Sequence, residues 1–217
     1  QLGAALFRFW EVREYFAEGR DQLNKLLKLA GAAGPTKARA RALFAAGVLA
    51  GAQGDYASAD NLFNESQDIA LQLGDKRSVA VSLNALAVVA RDRSDVARAH
   101  ILFEATLDLW RELGDQKAVA RALSNLANVL TLQGEYDRAR ALHVECLSIF
   151  QELGDRAGAA WSLNYQGDVA HDHGDIAAAR TLYEQGLAIF RELNDRWGIA
   201  GTLADLGSLA REQGDCS

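Results

Sequence analysis

Residues 113–155 read LGD-QKAVARALSNLANVLTLQ-GE-YDRARALHVECLSIFQE-LGD. The stretch opens and closes on the same tripeptide, Leu113-Gly114-Asp115 and Leu153-Gly154-Asp155, 40 residues apart. A second glycine–acid pair, Gly134-Glu135, lies midway. Each marker is helix punctuation: glycine takes the left-handed conformation that closes one helix, and the acid behind it offers an oxygen to the first free amides of the next. Between the markers, small and apolar residues recur at helical spacing: Leu123, Ala127 and Leu130, then Ala139, His143 and Cys146. Turns this short leave only an antiparallel hairpin of two helices.

The register continues in both directions. Leu73-Gly74-Asp75 and Leu193-Asn194-Asp195 repeat the first marker, with Asn194 the common substitute for glycine. Gly54-Asp55, Ser94-Asp95, Gly174-Asp175 and Gly214-Asp215 repeat the second. Leu43, Leu83, Leu123, Leu163 and Leu203 align in the first helices, each followed four residues on by Gly47, Ala87, Ala127, Gly167 or Gly207. In the second helices Ala59, Ala99, Ala139 and Ala179 precede Phe63, Phe103, His143 and Tyr183, and then Ser66, Thr106, Cys146 and Gly186. Large residues facing small ones let two helices approach closely and interlock. A further stripe (Ile69, Leu109, Ile149 and Ile189, beside Ala70, Trp110, Phe150 and Phe190) is expected to pack on the following pair.

The fold expected is all-α, an α-α superhelix built as a solenoid of antiparallel helix pairs. Its repeats span about 36–75, 76–115, 116–155 and 156–195, with a truncated fifth unit at 196–217, all in one domain over 35–217. Residues 1–34 form a divergent N-terminal pair, since Phe16, Gly19 and Leu23 precede Tyr56, Ala59 and Phe63 by 40 residues; Pro35, the sole proline, separates the two parts. At the other end the flank containing Leu206 and Leu209 is expected to be bare, covered in a longer parent chain or by self-association with another copy.

The 217 residues are 49% hydrophobic and carry a net charge of −6, which disfavours direct nucleic-acid binding. No apolar run reaches the length of a membrane span. Cys146 and Cys216 make no metal-ligand spacing and suit reduced thiols in a cytoplasmic setting. His171-Asp172-His173 resembles a metal fragment, but alternate helix positions point apart and no third ligand accompanies them. With no phosphate loop or nucleophile–base arrangement, no enzyme, metal or cofactor is expected. The chain starts at Gln1 and contains no methionine, as expected of a piece of a longer polypeptide.

The aligned positions resemble the tetratricopeptide signature, and the spacing from Gly47 to Ala59 to Phe63 is that family's own. The usual period is about 34 residues, and one near 40 would nominally suggest HEAT or armadillo repeats. The additional residues all follow the small residue at 66 and its equivalents, so they lengthen the second helix without disturbing the signature. The resemblance implies a binding array whose first helices line a concave groove. The groove stripe would comprise Arg41, Phe44 and Val48; Val81, Asn84, Val88 and Arg91; Arg121, Ser124, Asn128 and Thr131; Trp161, Asn164, Asp168 and His171; and Gly201, Ala204, Ser208 and Arg211.

Asparagine is a poor helix-interior residue, so Asn84, Asn128 and Asn164 invite a reason. Their amides suit clamping a peptide backbone, against the alternative of solvated or locally bonded amides. Arg41, Arg91 and Arg121 favour an acidic or carboxylate-bearing ligand, against the alternative of solvated surface arginines. Trp161 is either a groove anchor or a packing residue.

The segment Ala5-Leu6-Phe7-Arg8-Phe9-Trp10-Glu11-Val12-Arg13 resembles the junction where the repeat arm begins in large bacterial LuxR-type and related signal-transduction ATPases. Two readings follow. One is the arm of a regulatory ATPase or transcriptional regulator that senses a protein, peptide or small inducer. The other is a stand-alone protein-interaction scaffold.

Overall fold

An acid behind a left-handed residue starts eight of the ten described helices. The computed structural model describes residues 15–29 and 34–214, and every regular element among them is an α-helix. The chain divides into two compact units at Leu113/Gly114. The first holds α1 (Phe16–Leu29), α2 (Lys37–Ala52), α3 (Tyr56–Gln72), α4 (Lys76–Asp92) and α5 (Val96–Glu112). The second holds α6 (Gln116–Leu132), α7 (Tyr136–Glu152), α8 (Arg156–Asp172), α9 (Ile176–Leu193) and α10 (Arg196–Glu212). The first helix expected for the divergent pair, the segment Ala5–Arg13 and Cys216 lie outside the described residues.

The caps follow the sequence closely. Asp55, Asp75, Asp95, Asp115, Asp155 and Asp175 each accept from the backbone N–H three residues on, and Asp195 accepts from both Trp197 and Gly198. Each such cap stabilises by about 1 kcal/mol. Glu135 departs from the expected pattern: it makes no capping bond and pairs with Arg138 instead. Its added methylene carries the carboxylate past the free amides. Before the caps the backbone turns left-handed, at φ 66° for Gly74 but also at φ 61° for Ser94 and 54° for Asn194, where a side chain bears the strain.

Within each unit, successive helices pack as antiparallel neighbours, and alternate ones also touch, α2 with α4 and α6 with α8. In the first unit, Leu23 of α1 is fully buried against Ala45, Ala46 and Leu49 of α2. Arg20 ties the same helix to the α2–α3 turn, donating to Gln53 and, at 2.7 Å, to Asp55. That bond is the main reason the Asp55 carboxyl is held down at a pKa of about 2. Phe63 of α3 lies against Gly47 of α2 and Leu86 and Val89 of α4. In the second unit Tyr183 of α9 lies against Gly167 of α8 and Leu209 of α10. Burying one such ring stabilises by roughly 1.5–3 kcal/mol.

Two further positions fix the spacing. In two repeats the small residue of the second helix bonds to a first-helix carbonyl: Ser66 Oγ donates to Ala40 O at 2.9 Å, and Cys146 Sγ to Ala120 O at 3.1 Å, while Thr106 bonds Leu102 O of its own helix. At the far end of the second helix, Phe150 and Phe190 fill the space over Gly158 and Gly198, whereas the smaller Ala70 stands eight residues before Ser78. Bulk in one helix is matched by its absence in the next.

One expectation about the last helix is corrected. Leu209 is fully buried and Leu206 partly so, because both face Ala179 and Tyr183 of α9. The exposed apolar residues of α10 are instead Trp197, at 85%, and Leu203, at 46%. Leu203 stands at the repeat position of Leu163, which is buried on α8, and Trp197 at that of Ala157, which is exposed and lines the α6–α8 cleft.

The ring contacts generate a paired prediction. A Cβ on Gly167 would sit 2.5 Å from Tyr183, and that ring is tethered through its hydroxyl to Asp168 at 2.7 Å. Gly167→Ala is expected to cost about 1–3 kcal/mol in urea unfolding. Gly51→Ala meets nothing nearer than 3.9 Å and is expected to stabilise by up to about 1 kcal/mol.

Candidate functional site

In each unit two first helices stand side by side with a second helix behind them, leaving an open cleft. In the second unit α6 and α8 form the walls and α7 the floor of a cleft of about 470 Å³. Lys117, Arg121, Ser124 and Asn125 come from α6, Cys146 and Phe150 from α7, and Asp155, Gly158, Trp161, Ser162 and Tyr165 from the cap and body of α8. Residues 117, 121 and 125 lie on one row of α6, and 161 and 165 on one row of α8, because a helix brings every fourth residue back to one face.

The α8 wall is built of rings. Trp161 stacks on Tyr165 with centroids 6.1 Å apart and 28° between planes, and meets Phe190 edge-on at 4.9 Å. Tyr165 in turn stacks on His143 at 5.7 Å. The His143 ring is fully buried, and neither nitrogen has a hydrogen-bond partner. Burial lowers its pKa to about 4, so it stays neutral at physiological pH and serves as an aromatic ring in the register of Phe63 and Tyr183.

The other wall is cationic. Lys117 Nζ lies 2.5 Å from Asp155 Oδ2, and this bond, followed by the one from the Gly158 amide, holds the Asp155 carboxyl below its ordinary value. Arg121 stands exposed at the rim and adds to the same field. The Cys146 thiol on the floor is pushed up to about 11 by burial, which leaves it protonated and unreactive.

The first-unit cleft, about 400 Å³ between α2 and α4, is mostly apolar. Val48, Ala85, Val88 and Val89 line it over Tyr56 and Phe63, with Asn84 and Asp92 as its polar members.

The expected groove residues do not share one surface. Asn84, Arg121 and Trp161 line clefts, Asn84 in the first unit and the other two in the second. Asn128 is half-buried on α6 outside the cleft lining, and Arg41 is exposed on α2, contributing to the lowered pKa of Asp75. Arg91 is held along its own helix, with Nε and Nη2 both donating to Asp92 Oδ1.

Asn164 departs from the groove expectation. It is 3% exposed and donates to Thr202 of α10 at 2.7 Å. Gly186 on α9 explains why Asn164 and Asn84 differ at one repeat position. A Cβ there would collide with the Asn164 amide, whereas the equivalent place in the first unit is filled by Thr106, leaving Asn84 at the cleft.

Asp168 and His171 sit at the opposite end of α8. Asp168 accepts from Tyr183 Oη at 2.7 Å, and His171 Nε2 lies 2.9 Å from Glu212. Burial pushes the Asp168 carboxyl up to about 6, with Asp205 and Asp172 adding to the rise, and burial also raises Asp205. Among the described residues, no group of three or more His, Cys, Asp or Glu could hold a metal, and no helix is long and apolar enough to cross a membrane. Asn125, beside Asn128 in the sequence reading, lines the cleft, whereas Lys117 and Tyr165 escaped that reading, which followed a single line along each helix. The usable signal was the same row continued, four residues from Arg121 and from Trp161.

Family models described as tetratricopeptide repeat match residues 79–113 and 118–192. No curated protein sequence matches. Among solved structures, BtubC (BKLC) of P. vanneervenii is 23% identical with a TM-score of 0.77, over 94% of this chain and 84% of that one. A Rap protein solved with Competence and Sporulation Factor is 16% identical with a TM-score of 0.77, over 90% of this chain and 55% of that one. The quorum sensor NprR of B. thuringiensis is 14% identical with a TM-score of 0.76, over all of this chain and 60% of that one. At these identities the likeness is one of fold.

Asp168 gives a pH prediction. With a folded pKa near 6 against an ordinary 3.8, the native state holds a proton that the unfolded chain has lost between those values. Stability should therefore fall as pH rises from about 4 to 6 and level off above that, by on the order of 3 kcal/mol for this group. Asp168→Asn, which keeps an oxygen for Tyr183, should flatten that slope in urea titrations at successive pH values.

Proposed function

Because the chain is a tetratricopeptide-type repeat array over residues 79–113 and 118–192, we propose that it is a protein- or peptide-binding module that captures an acidic segment on its first-helix faces. The observation that carries this reading is the second-unit cleft, where Lys117 and Arg121 face the Trp161–Tyr165 wall. Tryptophan and arginine supply most of the energy in many interfaces, and the guanidinium fork fits a carboxylate. Similar folds include a Rap protein solved with Competence and Sporulation Factor and NprR solved with its peptide NprX, which supports a peptide ligand. The buried thiol of Cys146 suits a cytoplasmic setting.

The narrower role, a sensing arm attached to a regulatory ATPase, rests on the segment Ala5–Arg13. An NTPase domain encoded upstream would support it, and its absence from the full gene would leave the plain interaction scaffold.

The test is selection of peptides from a random display library, followed by fluorescence polarisation. Selected sequences should be enriched in Asp and Glu. Trp161→Ala should weaken binding at least tenfold, about 1.4 kcal/mol, and Arg121→Glu should do the same for the acidic ligands. Neutral or basic selected sequences, indifferent to both changes, would defeat the reading.

A further inference from the structure

The two walls of the second-unit cleft differ in chemistry, and only one kind of group satisfies both. On α8, Trp161 and Tyr165 stack at 6.1 Å and are braced from behind by Phe190 and His143, so the ring wall is rigid before any ligand arrives. A flat ring suits such a wall, since offset-stacked or edge-on aromatic pairs gain beyond the area they bury. Facing it, Lys117 and Arg121 meet one carboxylate of the protein, Asp155, which already holds Lys117 at 2.5 Å. That leaves one cation in excess, at the Arg121 end of the cleft. The bodies of both wall helices begin here, and helix N-termini carry partial positive charge. A single negative charge is therefore favoured beside Arg121, and a ligand cation is opposed. The volume of about 470 Å³ lies within the range of small-ligand sites, roughly 300–1,000 Å³.

We propose that the second-unit cleft is a subsite for an aromatic carboxylate, its ring lying on the Trp161–Tyr165 wall and its carboxylate paired with Arg121. The chemistry is common to a small aromatic acid and to an aromatic peptide residue followed by an acidic one. This inference rests on the reading that the cleft takes ligands, and it adds the requirement that ring and charge arrive together.

The experiment follows the Trp161 indole N–H and the amides of α6 and α8 by NMR during titration with three probes. N-acetyl-L-phenylalanine carries ring and charge, N-acetyl-L-phenylalaninamide the ring alone, and N-acetyl-L-aspartate charge without a ring. The first should shift Trp161 and Arg121 with an affinity at least tenfold above the other two. Arg121→Gln, an exposed position whose change should leave the fold intact, should bring the acid down to the level of the amide. Trp161→Leu should weaken both ring-bearing probes. Equal affinities for acid and amide, equal affinities for the phenylalanine and aspartate probes, or shifts mapping away from the cleft would each overturn the proposal.

A second arm separates the sources. An amidated peptide containing internal Phe-Asp should bind more tightly than the free acid if the natural ligand is a peptide, and more weakly if it is a small inducer. Binding of the free acid with no peptide recovered from the library would retain this subsite while removing the peptide reading. Peptides that bind without contacting the ring wall would do the reverse.

Discussion

The close approach of a first helix to the second helix of its pair rests on a small residue meeting a large ring, and the rest of the array depends on that contact. Gly47 receives Phe63, Gly167 receives Tyr183, and the paired helices settle at the distance those contacts allow. The distance in turn lets Ser66 and Cys146 reach first-helix carbonyls, so buried hydroxyl and thiol groups find partners without water. Because each ring also touches the following first helix, as Phe63 touches Leu86 and Tyr183 touches Leu209, one side chain fixes three helices at once. The second helices are thus spent on packing, which frees one face of each first helix for other work.

That division explains where the polar chemistry lies. Behind the clefts His143 is neutral, and the Asn164 amide nitrogen bonds Thr202 while its oxygen is buried without a hydrogen-bond partner. Charged groups gather at the cleft mouths and helix ends, where Lys117 pairs with Asp155 and Arg91 with Asp92. Exposed pairs of this kind contribute little to stability, at most about 1 kcal/mol each. Their value to the molecule is the sign and position of the charge they leave uncompensated.

The helices, their caps and the identity of the packing positions were legible in the sequence because they depend on local punctuation and a fixed register. Glu135 shows the limit: its place in the register is right, but one methylene moves the carboxylate off the amides. The binding face was legible only in part. Arg121 and Trp161 could be placed by rotation from the core stripe, yet Asn164, on the same line, turns inward because Gly186 on another helix makes room for its amide. The burial of Leu209 and the exposure of Leu203 likewise depend on which helices flank α10. Such choices are made by neighbours distant in sequence, and no spacing rule within one helix contains them.

On the function proposed, ligand recognition belongs to the first-helix faces while the second helices hold the fold. A crystal structure of the chain bound to a peptide selected for affinity tests it most directly. The peptide is expected between α6 and α8, in contact with Trp161 and Arg121. A peptide lying on the outward faces of α7 and α9, with that cleft empty, would contradict it.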